Sequence, residues 1–238
     1  MALQKKHRAR RGILVLESPW ELDERDGNRS SVLPFIEGVA KLVGDTEVYY
    51  ANFYDKKSFE QALNCLCKTQ FDDTIIYIAA HGYGRKITNM NIDHMLNLIG
   101  IQSRKNCITG VILGSCFVGG NTSIIEMMTT GTNIRWCSGY ASSTWWLPAT
   151  LIDCSIITHI LDRKTANYSD RDKLIATFSQ AIACFDKNSI IGDDVKDRPV
   201  QLKDSLQFIV QPEGKGYRPR TISSEVFAES EEEADEEV

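Results

Sequence analysis

Two residues stand where chemistry is available, His81 and Cys116, and each closes an apolar run. The first run ends Ile-Ala-Ala-His81-Gly82 and the second ends Val-Ile-Leu-Gly-Ser-Cys116, 35 residues later. A thiol attacks a carbonyl well only as the thiolate, and a neighbouring imidazole takes the thiol proton and later hands one to a leaving amine. Gly82 adds a backbone N–H that no Cβ shields. With the N–H of Cys116 it forms a candidate oxyanion hole.

The elements that must hold this pair follow from the hydrophobic pattern. Strands are expected at Gly12–Leu16, Thr46–Phe53, Thr74–Ala80, Gly110–Leu113 and Ile134–Tyr140. Helices alternate with them. One has Val32, Phe35, Ile36, Val39 and Leu42 on its apolar face, capped by Ser30 or Ser31 and closed by Gly44. Others cover about Lys57–Lys68, Asn91–Ile99 and Ser123–Thr130. Strands three and four are apolar without alternation, the habit of parallel strands covered on both faces. Repeated strand–helix alternation predicts a three-layer α/β/α sandwich around a mostly parallel central sheet. Right-handed crossovers then bring His81 and Cys116 to one edge of it. Two more helices (Leu147–Leu161, Arg171–Phe185) and a late strand (Ser205–Val210) complete the body. The expected organisation is a flexible basic arm over residues 1–11, one domain over 12–220, and an acidic disordered tail over 221–238.

An apolar strand ending in His-Gly, followed by one ending in a small residue and Cys, resembles the caspase-like (clan CD) cysteine peptidases, also called the caspase-hemoglobinase fold. The segment Ser138-Gly139-Tyr140 … Trp146 … Asp153 looks more like small bacterial CHAT-type members than animal caspases. That resemblance implies an endopeptidase working through Cys116 and His81 and an acyl-enzyme, without metal or organic cofactor. Its partner would be a protein substrate bound as an extended peptide, with a regulatory protein as a further partner. A bacterial defence or cell-death setting is the family-level expectation. In that family the groove is built after strand five, which points to Ser138, Gly139, Tyr140, Ser142, Ser143, Trp145 and Trp146. The two tryptophans fit groove and core equally well. The sequence departs from the family in two places. Caspases carry Gln-Ala-Cys-x-Gly with the His about 50 residues upstream, against 35 here. Metacaspases place an Asp two residues before the nucleophile, where this chain has Gly114, so a basic P1 preference loses its usual support.

The remaining candidates read as structural. His94 reads as a surface or half-buried helical residue, and Cys154 and His159, five apart, do not share a helix face. Cys65 and Cys67 fit neither a redox motif nor a zinc knuckle, and Cys107, Cys137 and Cys184 sit among apolar neighbours. Asp193, Asp194 and Asp197 read as a solvated turn rather than a Ca²⁺ site. His7 falls in the basic arm.

Composition bounds the function class. Seven cysteines in no disulfide pattern suit a reducing, cytoplasmic compartment. The net charge of −5 becomes +2 without the seven acids of the last ten residues, so no nucleic-acid surface is expected. Neither a membrane span nor a signal peptide is expected. The rival reading in another class is a catalytically silent caspase-like protein that binds a partner through the same groove. A flavodoxin-like binding module is disfavoured, because Glu17-Ser-Pro-Trp20 stands where a Gly-rich phosphate loop would follow strand one.

Overall fold

A computed structural model describes residues 9–20, 30–212 and 218–236, the last seven by backbone alone. The chain runs β1 (Arg11–Glu17), α1 (Leu33–Val43), β2 (Thr46–Asn52), α2 (Lys56–Leu66) and β3 (Asp73–Ala79). Next come the short strands β4 (Gly82–Tyr83), β5 (Lys86–Ile87) and β6 (Met90–Asn91), then α3 (Ile92–Asn106), β7 (Ile108–Gly114), α4 (Thr122–Thr129) and β8 (Trp136–Tyr140). The last part holds α5 (Trp146–Leu161), α6 (Arg171–Ile182), β9 (Ile190–Asp193), β10 (Pro199–Gln201), α7 (Leu202–Ser205), β11 (Leu206–Val210), β12 (Arg220–Thr221) and α8 (Ser223–Glu236).

Seven strands form the central sheet in the order β12-β11-β8-β7-β3-β1-β2. The five from β8 to β2 are parallel, while β11 and β12 add antiparallel at one edge. The expected mixed α/β sandwich is therefore what the chain forms. Its apolar runs are buried on both faces because successive residues point to opposite sides. Ile13 and Val15 of β1, with Ile75 and Tyr77 of β3, pack under α1, α5 and α6. Leu14, Leu16, Ile76 and Ile78 pack under α2 and α3.

Chain direction in the sheet order reverses at β1. Strand β2 lies on one side of it and β3 on the other, so the crevice beyond their carboxyl ends is a topological switch point. Buried Glu17, the last residue of β1, organises that end of the sheet. Its carboxylate accepts from Ser31 Oγ (2.7 Å), the Val32 N–H (2.9 Å) and Tyr50 OH (2.8 Å). Those bonds tie the start of α1 and strand β2 to the tip of β1.

Several expectations need correction. Neither Ser30 nor Ser31 caps α1. Val32 is its N-cap, and Ser31, one residue earlier, donates to Glu17 and accepts the Leu33 N–H at 3.2 Å. Leu42 is solvent-facing rather than part of the apolar face. Three short strands, the β9–β10 hairpin and α8 add to the expected elements, and α3 runs on to Asn106. The basic arm is shorter than expected, since Arg11 is in β1 and Arg10 bonds Asp72 at 2.9 Å; its residues 1–8 lie outside the described residues. At the other end the domain continues past 220. Thr221 pairs with Ile209, and Ile222, Val226 and Phe227 are buried in the core. A helix then runs to Glu236 where a disordered tail was expected. Apolar residues at 222, 226 and 227 supply one helical face, which the acidic composition beyond them obscures.

Candidate active site

Register fixes where His81 and Cys116 stand. Ala79 of β3 pairs with Gly114 of β7, and each candidate lies two residues beyond its partner. Adjacent strands run roughly 4.8 Å apart, so the two segments leave the same edge of the sheet side by side. Both border one cavity of about 160 Å³, with Trp20, Val32, Tyr77, Gly114, Thr144, Trp146, Ala149, Thr150 and Asp153.

The loop after β1 holds the imidazole. His81 Nε2 lies 2.7 Å from the Trp20 carbonyl oxygen. A carbonyl only accepts, so Nε2 carries the hydrogen and Nδ1 keeps the basic lone pair. The Trp20 indole meets the ring edge-on, centroids 4.9 Å apart. Position and tautomer of His81 are thus set at the switch point, through Trp20.

On the sulfur side, Cys116 Sγ has the Thr144 hydroxyl at 3.8 Å, ordinary for a bond involving sulfur. Thr144 is held from both sides, because the N–H groups of Ser143 and Trp145 donate to Asp193 and Ile191 of β9, each at 2.9 Å. After Cys116 the chain turns sharply. Phe117 has φ 66°, a left-handed conformation costly for a bulky residue. Its N–H is pinned to the Ser142 carbonyl at 2.9 Å, which presents the thiol at the tip of the turn.

Gly82 packs directly on this turn. A Cβ there would stand 2.3 Å from the Cys116 carbonyl oxygen and 3.1 Å from its nitrogen. The Thr88 N–H donates to the His81 carbonyl at 2.8 Å. That makes His81 and Thr88 the hydrogen-bonded pair, so Gly82 and Ile87 form the alternate, non-bonded pair of this ladder. The Gly82 N–H therefore points away from Ile87. Among the described residues, the Cys116 N–H has no backbone acceptor. Two neighbouring N–H groups at a thiol are an arrangement that can hold a developing oxyanion.

Beside the thiol lies a buried polar knot. Asp153 of α5 is 1% exposed. Tyr77 OH donates to its Oδ2 at 2.8 Å, and Tyr140 OH lies 2.9 Å from Oδ1. Burial pushes this carboxyl up to about 7, against the opposing effect of the two hydroxyls. The phenols are in turn pushed well up by their own burial and by the neighbouring acid.

The expected groove residues divide. Trp146 borders the cavity; Trp145, 56% exposed, lies outside its lining. Ser138 and Tyr140 are fully buried in β8, where side chains alternate between faces already covered. Gly139 makes a close backbone approach, since a Cβ on Gly119 would meet its carbonyl carbon at 2.3 Å. Ser142 bonds Ser205 at 2.6 Å and Ser143 bonds the Asp193 backbone. None of these five borders the cavity. Sequence reasoning missed Thr144 and the carbonyl of Trp20. Asp153 carried a signal, a lone acid within the apolar turns of α5. Elsewhere, His94 is a half-buried helical residue, and His159 Nδ1 lies 2.9 Å from the Ser155 carbonyl on its own helix. Asp194 takes its hydrogen bonds from Lys196 and Arg198 within the β9–β10 turn, and Arg198 lowers its carboxyl to about 2.

Comparison with known proteins agrees with the fold. A secreted C11 cysteine protease from Bacteroides thetaiotaomicron, solved with an irreversible peptide inhibitor, superposes with a TM-score of 0.52. The match has 11% identity and covers 92% of this chain and 68% of that one. A second structure, of a secreted C11 cysteine protease from the same organism called iotapain, gives a TM-score of 0.47. It has 8% identity and covers 84% of this chain and 65% of that one. No protein-family profile and no curated protein sequence matches the chain. The chain thus has the caspase-like fold, and 11% identity carries the likeness no further. Among the described residues no helix is long and apolar enough to cross a membrane.

Proposed function

We propose that the chain is a cysteine endopeptidase, with Cys116 as nucleophile and His81 as its proton-transfer partner. The observation that supports this reading is that the paired strands β3 and β7 end beside each other and that His81 and Cys116, just beyond those ends, both border one cavity. An extended segment of a protein substrate lies across the carboxyl edge of the sheet. Cys116 Sγ attacks the scissile carbonyl carbon while its proton passes to His81 Nδ1, the nitrogen left basic by the Trp20 contact. The carbonyl oxygen, now negative, takes the N–H groups of Gly82 and Cys116. Collapse of that intermediate breaks the C–N bond, and the imidazolium returns the proton to the departing amine. A water molecule, giving its proton to His81, then hydrolyses the thioester and frees the thiol. No metal or organic cofactor is called on.

The reducing, cytoplasmic setting rests on the seven cysteines following no disulfide pattern in the sequence. The CHAT-type affinity and the defence setting rest on the sequence resemblance. The test is digestion of a fluorescently labelled unfolded protein such as casein. Wild type releases peptides, and Cys116→Ala and His81→Ala each lower the rate at least about a hundredfold. Equal digestion by wild type and Cys116→Ala would sink the proposal.

A further inference from the structure

Asn121 stands at the N-cap of α4, where asparagine is favoured because its side-chain oxygen can take a free N–H of the first helical turn. It makes no such bond. Its Nδ2 donates to the Gly84 carbonyl at 2.7 Å and to the Val118 carbonyl at 3.0 Å. Both partners only accept, so the amide NH₂, and not its oxygen, faces them. The side chain thus leaves the start of α4 without a side-chain cap and joins two other segments instead.

Those segments carry the two halves of the candidate oxyanion hole. Gly84, at the tip of the β4–β5 hairpin, lies two residues beyond Gly82. Val118 lies two residues beyond Cys116, and its N–H donates to the Cys116 carbonyl at 2.8 Å. Other ties between hairpin and turn are slight. Tyr83 meets the Phe117 ring edge-on with centroids 5.7 Å apart, but it is 72% exposed. Strands of two residues give the hairpin little rigidity of its own. Resting on the protease reading, we propose that Asn121 is a positioning residue, which holds the Gly82 N–H beside the Cys116 N–H and so sets the oxyanion hole.

A role of this kind shows only in steps that place charge on a carbonyl oxygen. Peptide cleavage is such a step. Alkylation by iodoacetamide is not: Cys116 Sγ bonds the CH₂ carbon, iodide leaves with the bonding pair, and the thiol proton goes to the buffer. Alkylation therefore reports the thiol and its access, while cleavage reports those and the oxyanion hole as well. The oxyanion forms only as the bond is attacked, so a misplaced donor lowers kcat and leaves KM nearly unchanged.

The experiment compares wild type with Asn121→Ala and Asn121→Ser. Serine is an equally good neutral N-cap, but its hydroxyl is one bond short of the amide nitrogen, so that variant keeps the start of α4 and loses the Gly84 contact. Each protein is assayed on labelled casein over a range of concentrations, and alkylation of Cys116 by iodoacetamide is followed by mass spectrometry. Expected in both variants is a kcat about tenfold lower, with KM and the alkylation rate within about twofold of wild type. An unchanged kcat, or alkylation slowed as much as cleavage, overturns the positioning role and leaves the protease reading standing. No casein digestion by the wild type overturns both.

Discussion

Asp153 makes the stability of this protein depend on pH in a direction opposite to most aspartates. Burial raises its carboxyl from the ordinary 3.8 to about 7. The folded state therefore binds the proton more tightly than the unfolded chain. The stability that follows is present in full below about pH 4 and is lost as pH rises to about 7. Three pH units at 1.36 kcal/mol each make the loss about 4 kcal/mol. Tyr77 from β3 and Tyr140 from β8 face this carboxyl, with Cys154 beside it on α5 and Cys116 and His81 around the cavity. Both phenols are held well above their usual range and stay uncharged in this window. Cys154 is pushed up to about 12 and stays neutral as well. Asp153→Asn keeps the shape and donor pattern of the neutral acid but cannot ionise. Urea unfolding followed by tryptophan fluorescence from pH 4 to 8 gives the comparison. Relative to Asp153→Asn, the wild type should lose about 4 kcal/mol between pH 4 and pH 7 and then level off. Parallel pH profiles for the two proteins would refute the neutral, buried assignment of Asp153.

Two further substitutions test the packing around the thiol. Gly82→Ala drives a methyl to 2.3 Å from the Cys116 carbonyl. Peptidase activity should fall at least about a hundredfold through a displaced turn, with a stability loss of about 1–3 kcal/mol from overpacking in urea melts. Gly114→Asp restores the acid found in metacaspases, but its Cβ collides with the Tyr77 ring. It should lower the thermal midpoint by several degrees without creating cleavage of fluorogenic peptides that carry Arg or Lys at P1.

The parts of the fold written in long apolar runs were legible from sequence, and the parts written in few residues were not. Strands β3 and β7 carry no alternation because both faces are covered, so their ends, and with them His81 and Cys116, could be located from the sequence. The β9–β10 hairpin is two short strands joined by a polar turn, with almost no periodic signal, yet it fixes Thr144 against the sulfur. Trp20 acts through a backbone carbonyl, which no residue type announces. The residues of β8 expected at the groove lie outside the cavity for a different reason. The family places the groove after this strand; here the strand itself is sealed on both faces, and after it the cavity lining begins at Thr144 and Trp146. Residues 222 to 227 were lost to composition, their apolar face diluted by the acids that follow.

The central claim is that His81 activates Cys116, and covalent labelling tests it most directly. Wild type, Cys116→Ala and His81→Ala are incubated with peptidyl acyloxymethylketones, and the modified residue is mapped by mass spectrometry over time. The account predicts a single adduct on Cys116, absent in Cys116→Ala and formed at least about a hundredfold more slowly in His81→Ala. Labelling at the same rate without His81, or an adduct on another of the seven cysteines, would contradict it.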